Sequence, residues 1–183
     1  MSSTTYRSRW ENRSEAEPVS FIAFPPANFP GVKLADPRGK WVLLDFWGYW
    51  FGPCVGRMPE LMALYDEYKD KGLAVIGIHC DGEQDAPLDT VEKLDEKLKD
   101  IVTSTWSGRD LPFPVALTCG LESFVTGGEA TALGPVAADY GITSYPSLML
   151  IDPEGNVVGL TNLRDVKERL QALDPAHEGR AGL

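Results

Sequence analysis

The chain has 183 residues, 43% hydrophobic and 24% charged, with 17 Lys and Arg against 27 Asp and Glu for a net charge of −10. One globular domain is expected, long enough to bury a core without metals or cross-links. Scattered cations within an acidic excess exclude a basic nucleic-acid or lipid-headgroup surface, and no apolar run approaches the ~18 residues of a transmembrane helix.

Residues 1–20 lack an apolar period and carry Arg7, Arg9, Glu11, Arg13, Glu15 and Glu17, so they read as a flexible arm without a secretory signal. The domain is expected over 21–174, with a flexible tail over 175–183. Val42 to Trp47 is a nearly unbroken apolar run, the pattern of a central strand buried on both faces. Leu61, Leu64, Tyr65 and Tyr68 then follow at helical spacing, and Lys71-Gly72 ends the helix. Leu73 to His79 is the next strand. Leu88, Val91, Leu94, Leu98 and Ile101 mark an amphipathic helix whose Lys, Glu and Asp form its solvated face. Phe113 to Leu117 reads as a strand, Val136 to Tyr140 as a short helix, Ser147 to Ile151 and Asn156 to Leu160 as strands, and Leu163 to Leu173 as a closing helix. Asp36-Pro37-Arg38-Gly39 and Asp152-Pro153-Glu154-Gly155 both carry type I turn chemistry, so each is expected to close an antiparallel hairpin. The order implies an α/β fold with a central mixed sheet, helices on both faces and an added N-terminal hairpin.

The segment Asp45-Phe46-Trp47-Gly48-Tyr49-Trp50-Phe51-Gly52-Pro53-Cys54, with Pro59 inside the following helix, resembles the active-site segment of the thioredoxin superfamily. The 33–45 hairpin, Met58-Pro59-Glu60-Leu61 and the strand at Phe113 resemble the TlpA/ResA branch. Tyr140 to Ser147 is similar to the family's cis-proline loop, and the Asp152–Gly155 hairpin follows in order. The resemblance covers nearly all of 21–173. It implies a thioredoxin-like fold, thiol–disulfide oxidoreductase descent and a cis Tyr145–Pro146 bond facing the active-site turn. By the resemblance, proteins of this branch usually act outside the cytoplasm, whereas the chain as given reads as cytoplasmic unless it is part of a longer exported precursor.

The sequence departs from that pattern where the chemistry is concentrated. Phe51 stands where the family carries its nucleophilic first cysteine, and only the second, Cys54, remains. Disulfide exchange needs an attacking thiolate and then a resolving thiol. Cys54 lies three residues further into the helix, beneath Phe51, and burial among apolar groups raises a thiol's pKa. Asp45 interrupts an apolar strand, at a cost unless it is paired or protonated. By resemblance it moves the Cys54 proton; by the alternative it is a relic or a satisfied buried acid. Arg57 replaces the glutamate that ResA-type proteins carry three residues after the second cysteine, which reverses the local charge.

Three functional readings follow. The first is a thiol–disulfide oxidoreductase relative with a degenerate single-cysteine site, Cys54 and Asp45 its catalytic remnants, retaining at most monothiol chemistry or a pairing with Cys80 or Cys119. The second is a binding module that holds a polypeptide or thiol protein with Trp50, Phe51, Gly52, Pro53, Tyr145 and Pro146. The third is a one-cysteine peroxidase, ranked last because Phe51 stands where such enzymes need Thr or Ser. No cofactor is expected. His79, Cys80 and Asp81 could suggest metal ligands, but neighbours on a strand point to opposite faces, so a structural His and Cys are expected instead. The Leu121–Gly134 segment has no Gly-Lys-Ser/Thr ending and is expected to be a flexible insertion rather than a phosphate loop.

Overall fold

The computed structural model describes residues 39–81, 88, 91–118, 122–125 and 129–172. The expected N-terminal arm, the first half of the 33–45 hairpin, the C-terminal tail and Cys119 lie outside the described residues. In chain order the elements are β1 (Trp41–Trp47), α1 (Gly52–Tyr68), β2 (Leu73–Cys80), α2 (Val91–Ser104), β3 (Val115–Thr118), β4 (Glu122–Phe124), β5 (Thr131–Leu133), α3 (Pro135–Asp139), β6 (Ser147–Ile151), β7 (Val157–Thr161) and α4 (Leu163–Ala172). The main sheet runs β3-β2-β1-β6-β7. β1 pairs in parallel with β2 and antiparallel with β6, so the sheet is mixed and β1 is central.

Alternation along the strands divides the core in two. Leu43 and Trp47 of β1 pack with Leu61, Met62 and Tyr68 of α1, Leu94 and Leu98 of α2, and Val166 and Leu170 of α4. Val42, Leu44 and Phe46 face the other way, onto Val136, Ala137 and Ala138 of α3 and onto Val125 and Ala132. Asp45 lies between Leu43 and Trp47 in the alternation and therefore faces α1. β1 is nearly continuously apolar because helices or loops cover both of its faces.

Several boundaries move for identifiable reasons. β3 begins at Val115 rather than Phe113, because Pro112 and Pro114 have no N–H to give a ladder; Pro114 contributes only its carbonyl, to the Gly77 N–H at 2.9 Å. Leu88 precedes α2 and is buried, its N–H donating to Asp81 Oδ2 at 2.7 Å. The 121–134 segment is not simply a flexible insertion: β4 and β5 form a two-stranded antiparallel sheet within it, in register Glu122↔Leu133 to Phe124↔Thr131. Three-residue strands are too short for an alternation signal, and Val125 and Ala132 hold the hairpin by burial. The Asp152–Gly155 turn is as expected, with the Gly155 N–H on the Asp152 carbonyl at 3.0 Å and Gly155 at φ +90°.

Candidate active site

The candidate site gathers where β1 ends and α1 begins. Phe51 is the N-cap of α1, in extended conformation and without a side-chain cap. Pro53 occupies the first turn, where a missing N–H costs nothing. Cys54 follows, 1% exposed, and Phe51 packs against the cluster that contains it. Burial pushes the Cys54 thiol above its ordinary value; the Gly48 backbone N–H opposes that, Asp45 adds to it, and Arg57 opposes it. A thiol in this setting is protonated at neutral pH and a weak nucleophile.

Asp45 is fully buried, and Arg57 forms an ion pair with its Oδ1. Burial raises the Asp45 carboxyl to about 7, with the Arg57 guanidinium pulling it back. Asp45 Oδ2 is buried and has no hydrogen-bond partner. The pairing partner was not expected from spacing, although one sequence signal points to it: Arg57 is the only cation between Trp41 and Tyr68, and a buried acid needs one.

The aromatic turn and the proline loop meet. The Trp50 ring lies 5.7 Å from Phe51 and 6.2 Å from Tyr145, centroid to centroid, and the Tyr145–Pro146 bond is cis. Trp50 donates its indole N–H to the Cys80 carbonyl at 2.9 Å. This fold of the indole requires Gly48, where a Cβ would stand 2.4 Å from Trp50 Nε1. Tyr145 Oη accepts the Leu133 N–H at 3.1 Å, which ties the β4–β5 hairpin to the same loop. Gly52 and Pro53 are exposed at the start of α1.

His79, Cys80 and Asp81 are all buried, and among the described residues no group of three His, Cys, Asp or Glu is arranged to hold a metal ion. His79 stacks on Tyr49 at 5.5 Å and meets Trp47 edge-on at 5.1 Å, and burial lowers its pKa to about 4. Its aromatic partners, Tyr49 and Trp47, lie beyond α1 in the sequence, and no local pattern points to them. Cys54 and Cys80 are free thiols. They belong to core clusters on opposite faces of the sheet, so the pairing considered for them is not formed, and burial pushes Cys80 up to about 12.

The model of the AhpC/TSA family matches residues 17–159. The chain belongs to the AhpC/TSA family, within the thioredoxin superfamily. Among curated relatives, this AhpC/TSA family chain is 31% identical over 140 residues to thiol-disulfide oxidoreductase ResA of Bacillus thuringiensis subsp. konkukian, a match covering 76% of the chain and 65% of that protein. It is 29% identical over 147 residues to ResA of Geobacillus thermodenitrificans, covering 78% of the chain and 68% of that protein. The match to the first of these thus spans a little under two thirds of its length. A thiol-disulfide isomerase from Corynebacterium glutamicum shares the fold at TM-score 0.58 and 22% identity, covering 80% of this chain and 88% of that one. The thioredoxin domain of a thiol-disulfide oxidoreductase from Bacteroides vulgatus does so at TM-score 0.50 and 23% identity, covering 76% and 85%. The thioredoxin-like fold and the kinship with thiol–disulfide oxidoreductases are thereby established. Among the described residues no helix is long and apolar enough to cross a membrane.

Proposed function

We propose that this chain keeps the scaffold of a thiol–disulfide oxidoreductase around a degenerate, single-cysteine site that does not turn over protein disulfides. The observation that carries the reading is Phe51 at the N-cap of α1, the place where free N–H groups and the helix dipole would lower a thiol's pKa. Its ring supplies neither an attacking thiolate nor a leaving thiol. The remaining thiol, Cys54, is buried and has a raised pKa, so its thiolate fraction is small, and the other thiol among the described residues, Cys80, belongs to a different core cluster and is itself held protonated by burial, a poor resolving group for a mixed disulfide. Asp45 and Arg57 remain as the acid–base remnant of the site.

A second reading, a non-catalytic binding module, is favoured by the half-exposed Trp50 set against Tyr145 and by the groove that Pro146 borders. These groups take a polypeptide without a covalent step. Peroxide reduction is the third reading, and Phe51 speaks against it because the ring offers a peroxide oxygen no hydrogen bond.

The test is reduction of a protein disulfide with dithiothreitol as electron donor, comparing wild type, Phe51→Cys and Cys54→Ser. Wild type is expected at the uncatalysed rate and Phe51→Cys well above it. Turnover by wild type that Cys54→Ser abolishes would refute the proposal, since Cys54 would then be a competent nucleophile.

A further inference from the structure

The ion pair of the candidate site joins a fully buried carboxyl to a partly open guanidinium: the Asp45 side chain is 0% exposed and that of Arg57 20%. Arg57 donates to Asp45 Oδ1, while Oδ2 is buried without a partner among the described residues. Half of the carboxylate's acceptor capacity is thus unanswered, and its ionised form is held by the one cation that reaches it. The dependence runs both ways. Once the carboxyl takes a proton, the attraction that keeps the guanidinium on Oδ1 is lost, yet most of that side chain is still out of water. A desolvated cation without an anion is costly.

Arg57 has open space beside it. It lines a groove of about 520 Å³ over the start of β6 and the end of β7, together with Glu60, Pro146, Ser147 and Arg164. Glu60 is exposed and lies three residues further along α1, the spacing of neighbours on a helix surface. An Arg57 that leaves Asp45 therefore exchanges a buried acid for a solvated one. The other groups that face the pair do not compete for it. From α1 the Cys54 thiol is protonated. From β2, Gly77 stands opposite Asp45 and brings no charge, while His79 is neutral above about pH 4 and Cys80 below about 12. From α4, Arg164 adds a second cation at the groove, itself paired with Asp165 and Glu168. Pro146, Ser147 and Leu148 of the β6 side are uncharged.

We propose that Arg57 is a pH-dependent latch over Asp45, closing on the ionised carboxylate and swinging out into the groove beside Glu60 when the carboxyl takes up a proton. The latch works whether or not Cys54 reacts. It places a mobile cation next to Pro146 on the acid side of the transition and withdraws it on the alkaline side.

The experiment is an NMR titration of the isotope-labelled whole chain between about pH 5.5 and about 8.5, a window around the raised Asp45 carboxyl at about 7. The Asp45 Cγ, Arg57 Nε and Glu60 Cδ signals are expected to move together with one midpoint. Above it the Arg57 Nε–H should exchange with water at least about tenfold more slowly than that of Arg164, and below it within about twofold. Asp45→Asn, which stays neutral, should show the open latch at every pH. The Trp106 indole N–H, bound to the Val55 carbonyl of α1, should stay protected throughout, which separates a local latch from a loosening of the helix. Protection of Arg57 that persists below the Asp45 midpoint overturns the proposal, since the guanidinium then stays on the neutral acid. An Asp45 Cγ that does not titrate in this window, or a Glu60 Cδ that ignores the midpoint, overturns it as well. The wild-type titration decides by itself if Asp45→Asn does not fold.

Discussion

Trp106 donates its indole N–H to the Val55 carbonyl at 2.9 Å, across 51 residues of sequence. That carbonyl is the one that Pro59, four residues further along α1, leaves without a helical donor. The indole thus completes the helix from outside, in the turn that carries Cys54, and closes the core between α1 and the segment leading to β3.

Trp106→Phe should therefore cost more than lost packing. The Val55 carbonyl would be buried without a partner, a penalty of about 1–3 kcal/mol. Pro59→Ala restores a donor, so the same Trp106→Phe change should cost about 1 kcal/mol less in that background. Urea unfolding of the four proteins of the cycle measures the coupling; additive costs would mean that Pro59 and Trp106 do not share the carbonyl.

Cys54 should react slowly with iodoacetamide at pH 7 in the folded protein and about a hundredfold faster in urea, because burial both blocks access and holds the thiol protonated. Phe51→Ala should accelerate the folded-state reaction by opening the cover. Peptide mass mapping separates Cys54 from Cys80. Rapid folded-state labelling with an apparent pKa below about 7 would instead mark a working thiolate.

The Asp45 carboxyl is raised from 3.8 to about 7 on folding. A raised acid contributes stability that is present below its unfolded pKa and is lost as pH rises through its folded value. Wild type should therefore lose stability between pH 4 and 8 on this account, and Asp45→Asn should lack that part of the slope. The stability difference between them, measured by urea titration, should move in favour of the variant with rising pH by a few kcal/mol at most. A difference independent of pH would show that Asp45 is not shifted.

His79 titrates with the opposite dependence. Its pKa is lowered from 6.5 to about 4 because burial disfavours the cation, with Asp81 opposing. The unfolded chain binds the proton first, so stability present above about pH 6.5 is lost as pH falls toward 4. Protonation also sets two donors face to face, since the Tyr49 N–H points at His79 Nε2 at 3.4 Å. His79→Phe should keep the ring stack and flatten this acid limb, read by fluorescence of the neighbouring Trp47. An unchanged acid limb would assign the loss to other groups.

Much of this architecture is legible in the sequence because its causes are local. An apolar run bounded by Pro146 and Asp152 marks β6, and the Asp152-Pro153-Glu154-Gly155 turn marks the hairpin to β7. The contrast of Phe51 with Cys54 is likewise carried by residue type and spacing alone, and so is the anomaly of an acid in β1. What answers that acid is a matter of tertiary structure. Arg57 is twelve residues from Asp45 and meets it only because α1 folds back over β1. Trp106 reaching Val55, Tyr49 stacking on His79 and Tyr145 receiving the Leu133 N–H are of the same kind. Periodicity reports which face of an element is buried, but partners on different elements are selected by chain reversal and packing.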